Sequence, residues 1–516
     1  MLSPSQTNDP TIASTQSGRI QGVLEDDICV WKGIPYARPP VEELRWKAPQ
    51  DVEPWQGVRR ATTFGNICPQ TSYSKQSIYE IPPENMSEDC LYLNIWALRK
   101  PSKKKRPVFI WIHGGSLTRE GGTYPQYFGK NLAKKGLVYV SINYRLNAFG
   151  FLAHPHLSAE NKQGVSGNYG ILDQIKALEW VRDNITAFGG DPGNVTIAGE
   201  SAGGWSVTLL TATRQARGLF HKAIAQSGVY LWPGPHLKKS RYTYVSGEAE
   251  GMDFMQKLGA QSLNEMREIP AQKLVDLVFS NESNFSSKPV IDGYLFEEDV
   301  FQIYAKSRHN RVNILTGANA DEWSLWIPKD LTTEVEQYKS QIRTLYPKHA
   351  DLHFAIYPVH DSASIAQAHA NFQSDQTFHL PIRNWASAIA AGGNRVFMYY
   401  FSKVPKERYP KKYGAFHGAE IVYALDNLEN DPGLIGNGIP SEADQEYADQ
   451  VSAYWVNFAK TGNPNGPGLI PWPEWDASGE HYLAFDDQIT SQQFLLKYRL
   501  DALERFLNAQ SEDKAP

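Results

Sequence analysis

Ser201 stands in Gly199-Glu200-Ser201-Ala202-Gly203, a serine with a glycine two residues to either side, and that spacing suits a nucleophile. The glycines remove Cβ atoms that would collide in a sharp strand-to-helix turn, so the hydroxyl is held clear of the backbone. A helix beginning there also offers unpaired N–H groups to the negative charge that develops when an ester is attacked. Such chemistry needs a base for the serine proton, a carboxylate to orient the base, and donors for the carbonyl oxygen. Each has candidates. His417 lies in Gly414-Ala415-Phe416-His417-Gly418, whereas His379 and His360, the rival bases, have no glycine-flanked setting. Asp321 and Glu322 are adjacent carboxylates, and the residues alone leave the choice between them open. His113-Gly114-Gly115-Ser116 lets backbone N–H groups approach a substrate oxygen, with the N–H of Ala202 as a further donor. Acyl transfer by such a set requires no cofactor and no metal, and its histidine base predicts activity that fails as pH falls through roughly 6.5.

These positions must be brought together by the elements around them. Val195 to Ala198 reads as a buried strand and Ser206 to Ala212 as the helix that follows the serine. Val108 to Ile112 and Leu137 to Ile142 are continuous apolar runs, as expected of central parallel strands covered on both faces. Leu172, Ile175, Leu178, Val181 and Ile185 recur at helical spacing, and Gly189-Gly190 ends that helix. Later strands are expected at Val312 to Thr316 and Arg395 to Phe401, and a late helix carries Tyr447, Val451, Tyr454, Trp455 and Phe458 on one face. Near the N-terminus, Ile12 to Leu24 and Cys29 to Ala37 read as a hairpin about Glu25-Asp26-Asp27. Alternating strands and helices predict an α/β fold with a large, mostly parallel sheet and long inserted loops. The chain order serine, acid, histidine is that of the α/β-hydrolase arrangement. With no repeat or linker to divide it, the chain is expected to be one domain over residues 1–516, with flexible ends at 1–11 and 508–516.

Composition narrows the partners. A formal charge of −5 is an ordinary solubility balance that points away from nucleic acid, and no run approaches the ~20 apolar residues needed to span a bilayer. The N-terminus has neither a basic nor an apolar signal region, so the protein stays where it is made or has lost a leader. Only Cys29, Cys68 and Cys90 are present, without a Cys-x-x-Cys pair, which argues against a thiolate metal site. Their spacing leaves open a Cys68–Cys90 clip or three separate thiols. The partner these features favour is a small-molecule ester; oligomeric state is not encoded in them.

Five spaced motifs carry a resemblance: His113-Gly114-Gly115, Glu88-Asp89-Cys90-Leu91-Tyr92-Leu93-Asn94, Gly199-Glu200-Ser201-Ala202-Gly203-Gly204, Asp321-Glu322, and Gly414-Ala415-Phe416-His417-Gly418-Ala419-Glu420. Together they resemble the type-B carboxylesterases, which include the cholinesterases, from about Thr15 to Phe506. The resemblance implies an α/β-hydrolase fold, a catalytic set of Ser201, Glu322 and His417, and oxyanion donors at Gly115, Ser116 and Ala202. It implies a Cys68–Cys90 disulfide and structural ion pairs of Arg45 with Glu88 and Arg145 with Asp173. Glu200 is similar to the family's acid beside the nucleophile, Ser227 to a buried polar partner of the site, and Trp232 to an acyl-pocket residue.

Three positions depart from the family pattern. Ser116 stands where relatives carry Gly or Ala, and Trp323 follows the acid where Gly is common and so fills part of a substrate pocket. The loop from Pro69 to Asp89 holds Tyr73 and Tyr79 but no Trp, the residue on which cholinesterases stack choline. Lys403, Lys406, Arg408, Lys411 and Lys412 precede His417, and Lys238, Lys239 and Arg241 follow Trp232. Solvated surface charge is the favoured reading of these, and a gorge rim that attracts anionic esters is the other. Ester hydrolysis through Ser201 has two competitors, a lipase acting on lipid esters and a non-catalytic binding protein on the same scaffold. Retention of the nucleophile set argues against the second.

Overall fold

Strands covered on both faces have no solvent side for polar residues, and the apolar runs of this chain form such a sheet at the centre of the molecule. The computed structural model describes residues 9–73, 77–79, 85–100, 102–404, 413–430 and 440–513. Among the described residues eleven strands share one sheet: β1 (Val23–Glu25), β2 (Ile28–Pro35), β3 (Tyr92–Leu98), β4 (Arg106–Ile112), β5 (Val138–Ile142), β6 (Gly190–Glu200), β7 (Lys222–Gln226), β8 (Asn313–Asn319), β9 (Val396–Phe401), β10 (His481–Phe485) and β11 (Ile489–Gln493). Their spatial order is β11-β10-β9-β8-β7-β6-β4-β5-β3-β2-β1. Strands β4 to β10 run parallel, β3, β2 and β1 are antiparallel at one edge, and β11 is antiparallel at the other.

Helices α1 (Tyr169–Asn184), α2 (Ala202–Ala212), α3 (Leu380–Ala391), α4 (Glu442–Thr461) and α5 (Lys497–Asp513) cover this sheet or brace the segments beside it. Because side chains alternate along a strand, Val108, Ile110 and Ile112 of β4 join one apolar cluster with Ile171 and Leu178 of α1. Phe109 and Trp111 face the other way and pack with Tyr454, Trp455 and Phe458 of α4. Truncating a fully buried ring such as Trp111 to alanine is expected to cost about 3–5 kcal/mol. Helix α4 is capped by the Ser441 side chain, which accepts the Asp444 N–H, and stops at Gly462 with φ +75°. Gly189, at φ +81°, likewise closes the short turn after α1.

The N-terminal region differs from the expected single hairpin. Ile12–Thr15 and Gly18–Gln21 form their own hairpin, which joins Val58–Arg60 in a separate sheet, while β1 pairs with β2 across Asp26-Asp27. The break falls at the two-residue turn Gln16-Ser17, and Gly18, at φ +148°, opens the returning strand.

Arg145 and Asp173 form a buried ion pair at 2.7 and 2.8 Å, and Arg45 Nε reaches Glu88 at 2.7 Å. The cysteine expectation needs correction. Cys68 and Cys90 meet in the buried core but as free thiols, Cys29 being the third. Cys90 is hydrogen-bonded to Cys68, and that bond together with burial pushes its thiol well above the ordinary range. Cys68 Sγ also accepts the Leu146 N–H at 3.3 Å. No helix among the described residues is long and apolar enough to cross a membrane.

Candidate active site

Ser201 occupies the turn from β6 into α2 at φ +55° and ψ −122°, a conformation that costs a non-glycine residue about 1–3 kcal/mol. The turn is tight enough to dictate its glycines. A Cβ on Gly199 would lie 2.5 Å from the Gly203 carbonyl carbon, and one on Gly203 would lie 2.1 Å from the Ile112 carbonyl oxygen. The Ser201 N–H donates to Gln226 O at 2.9 Å and its carbonyl accepts the Trp205 N–H at 3.0 Å, so both ends of the turn are tied to the sheet and helix. Ser201 lines a cavity of about 610 Å³.

His417 lines the same cavity. Its Nδ1 lies 2.6 Å from Glu322 Oε2, and Glu322 Oε1 accepts the Asn319 N–H at 2.7 Å from the end of β8. The ring is packed between Phe378 and Trp326, at 4.9 and 5.0 Å between centroids, and the His417 carbonyl accepts the Tyr79 hydroxyl at 2.6 Å. On its other side, Nε2 lies 3.2 Å from Glu200 Oε1. Burial alone would lower His417, but the Glu200 and Glu322 carboxylates outweigh it and raise the group to about 9. Burial pushes Glu200 itself well above the usual carboxylate range.

A third buried carboxylate, Glu420, lies beside these two. It accepts Asn319 Nδ2 at 2.6 Å, Gln226 Nε2 at 3.1 Å and the Tyr399 hydroxyl at 3.2 Å. Asn319 Nδ2 also reaches Phe416 O at 2.7 Å, which ties β8 to the loop carrying His417. Asp321 faces elsewhere: its Oδ2 accepts the Ala415 N–H at 2.9 Å and its backbone bridges to Phe416. Ser227 is buried, with its N–H donating to Gly317 O at 2.9 Å.

Beyond β4, His113 is buried and stacked on Tyr144, and burial lowers it to about 3, so it is neutral and unsuited to take a proton. The next turn winds around the Gly115 carbonyl, which accepts the N–H groups of Thr118 and Arg119 and the Thr118 hydroxyl. Among the described residues no backbone carbonyl accepts the N–H of Gly115 or Ser116, and both residues line the cavity. Ala202 opens α2 immediately after Ser201.

The expected substrate residues sit further out. Trp232 packs edge-on against Trp205 at 5.5 Å, and Trp323 against Trp326 at 5.2 Å; Trp326, not Trp323, is among the cavity walls. The Pro69 to Asp89 loop puts Tyr73 and Tyr79 on the cavity wall, and Trp326, 40% exposed and leaning on His417, adds a tryptophan face from a different loop. Of the rival bases, His360 is exposed, and His379 is buried between Asp375 and the Asn319 carbonyl. Lys406, Arg408, Lys411 and Lys412 lie outside the described residues. Lys403 pairs with Asp487 and Arg241 with Asp299, while Lys238 and Lys239 are exposed, and none of these four lines the cavity. Among the described residues the cations that do are Arg119 and Lys329, which no motif marks. Among the described residues no cluster of His, Cys, Asp and Glu is arranged to hold a metal.

Comparison with known proteins agrees with this architecture. A family model described as the carboxylesterase family matches residues 9–503. The para-nitrobenzyl esterase of Bacillus subtilis is 35% identical over 93% of this chain and 95% of its own. A fumonisin B1 esterase of Sphingopyxis macrogoltabida is 34% identical over 95% and 89% respectively. Among solved structures, a thermophilic para-nitrobenzyl esterase superposes with a TM-score of 0.81 at 33% identity, covering 96% of this chain and 99% of that one. A Geobacillus stearothermophilus carboxylesterase gives 0.80 at 32%, covering 95% and 99%. The fold these structures share with the chain is the α/β-hydrolase fold, a large mostly parallel sheet flanked by helices.

Proposed function

The chain belongs to the carboxylesterase family and is a carboxylic ester hydrolase, and from that premise we propose that it works through an acyl-enzyme on Ser201, with His417 as base and Glu322 as the orienting acid. The observation that carries this is the 2.6 Å contact of His417 Nδ1 with Glu322, on a histidine that shares its cavity with a serine held in a strained turn. Ser201 Oγ attacks the ester carbonyl carbon as His417 Nε2 takes its proton, and Glu322 stabilises the imidazolium so formed. The N–H groups of Gly115, Ser116 and Ala202 receive the oxyanion, favoured by two amides without a backbone acceptor and by the start of α2. Collapse breaks the ester C–O bond, and His417 returns the proton to the leaving alcohol. Water, deprotonated by His417, then attacks the acyl-serine and releases the acid.

In this reading Glu200 acts on the base, and Asp321 fixes the loop that presents His417. The substrate is a small-molecule ester, and residues 1–516 form one domain, since the two largest apolar clusters are built on a single sheet. Ser201→Ala is expected to abolish covalent labelling by an organophosphonate and to lower kcat by about 10³-fold or more. Labelling of that variant at the level of the unmodified protein overturns the assignment.

A further inference from the structure

Arg119 and Glu120 are adjacent on the cavity wall, a few residues past Ser116, and are handled in opposite ways. Glu120 is buried at φ +77°, where a side chain with a Cβ is strained. Its oxygens are fully engaged: Oε1 accepts the Tyr73 hydroxyl at 2.9 Å and Oε2 the Tyr127 hydroxyl at 2.8 Å. Burial also pushes its carboxyl upward, toward the neutral form. Arg119 is only half-buried, and its guanidinium is clamped between the faces of Tyr73 and Phe279, at 5.1 and 4.7 Å. Its one hydrogen bond among the described residues is from Nε to Thr71 Oγ1, at 3.3 Å. No described carboxylate lies within ion-pair range of it, so the four N–H groups on its two terminal nitrogens have no described acceptor.

Glu120 accounts for this arrangement. Two phenols occupy it, and one of them, Tyr73, is the ring on which Arg119 rests, so the acid fixes the clamp without pairing with the cation. The result is a planar fork of donors, held over two aromatic rings in the cavity that contains Ser201. Lys329, exposed and without a described partner, lines that cavity too. The second acid on the wall, Glu200, is turned to His417, whose Nε2 lies 3.2 Å from its Oε1. A guanidinium with both terminal nitrogens free matches a carboxylate in bidentate fashion, and a partly dry wall strengthens the contact.

We propose that Arg119, positioned by Tyr73 and Glu120, selects esters that carry a second, ionised carboxylate. This rests on the ester-hydrolase reading and adds a substrate class to it. The carboxylate can belong to the acyl part, as in a monoester of a dicarboxylic acid, or to the alcohol part, and matched pairs separate the two. The acyl arm compares the mono-para-nitrophenyl ester of glutaric acid with the para-nitrophenyl ester of its isopropyl-ended isostere. The alcohol arm compares para-carboxybenzyl acetate with para-isopropylbenzyl acetate. For the full chain at low ionic strength, kcat/KM is expected to favour the anionic member by at least about tenfold in one arm, and added salt is expected to shrink that ratio. Arg119→Gln is expected to bring the ratio to within about threefold of one, Arg119→Lys to retain part of it, and Lys329→Gln to lower it less than Arg119→Gln does. Thermal melts establish that each variant is folded. Ratios at or below one in both arms, or a tenfold preference that Arg119→Gln leaves intact, overturn the proposal while leaving ester hydrolysis standing. Failure of the unmodified protein to cleave any of the four esters sinks the underlying reading and this inference with it.

Discussion

Two buried histidines flank the end of β8, each with Nδ1 on a carboxylate: His417 on Glu322 at 2.6 Å and His379 on Asp375 at 2.8 Å. By that contact alone they are indistinguishable. Their second nitrogens differ. His379 Nε2 contacts the Asn319 carbonyl at 2.9 Å, and Asp375 is further held by the Tyr357 hydroxyl and Arg499 of α5, so every polar atom of that pair is committed to structure. Among the described residues the polar contact of His417 Nε2 is with Glu200, in a ring that lines the cavity. An imidazole–carboxylate pair is therefore a strut when its far nitrogen is bonded to backbone and a candidate base when that nitrogen faces a substrate space.

Replacing each histidine by alanine breaks the comparison most severely. His417→Ala is expected to lower kcat by about 10³-fold or more with little change in melting temperature. His379→Ala is expected to do the reverse, costing about 1–3 kcal/mol of stability because Asp375 and the Asn319 carbonyl each lose a buried partner while Arg499 still pairs with the acid, with kcat within about tenfold. Denaturant melts and steady-state kinetics on both variants decide it, and a kcat loss in His379→Ala matching that of His417→Ala would erase the distinction. The adjacent acids give the next largest contrast. Glu322→Gln is expected to lower kcat by about 10³-fold, since an amide cannot offset the imidazolium charge. Asp321→Asn is expected to cost less than about tenfold, because the amide oxygen can still accept the Ala415 N–H that Asp321 Oδ2 accepts now. The opposite order moves the acid role to Asp321.

The parts of this site that can be read in the sequence are those fixed by backbone geometry. Gly199 and Gly203 are required by contacts of 2.5 and 2.1 Å, and such demands leave a spaced-glycine signature. The parallel strands are equally legible, since burial on both faces writes an unbroken apolar run. The family resemblance adds the preference for Glu322 over Asp321, which adjacent residues in a loop cannot settle by type. Trp326, Arg119 and Glu120 carry no such mark. Their place on the cavity wall depends on how three loops distant in sequence converge, and a tryptophan or arginine in a loop reads the same whether it faces substrate or solvent. For that reason the lysines before His417 stand out in the sequence, while Arg119 and Lys329, which reach the cavity, do not. The N-terminal strand breaks where the sequence predicts continuity because the chain reverses at Gln16-Ser17, two polar residues that do not read as a turn in the sequence, and Gly18, at φ +148°, opens the returning strand.

The smallest expected effect concerns the contact that separates His417 from His379 most sharply, its approach to Glu200 at 3.2 Å. A base works only when neutral, so activity is present above the pKa of His417 and is lost as pH falls through it. Burial alone would carry that pKa below 6.5, which would leave the enzyme active in mild acid. Glu200 and Glu322 carry it instead to about 9, which places the acid limb of kcat/KM above neutrality. Glu200→Gln keeps the shape and removes the charge, so it is expected to move the midpoint of that limb downward by about one unit, the usual reach of a single close carboxylate. Near pH 7 the variant then retains a larger share of its own maximum than the unmodified protein does. Profiles of kcat/KM from pH 5 to pH 10 on an uncharged ester read the shift directly. A midpoint that stays fixed or rises would mean that Glu200 exerts no charge on His417, and the raised base would have to be explained by Glu322 alone.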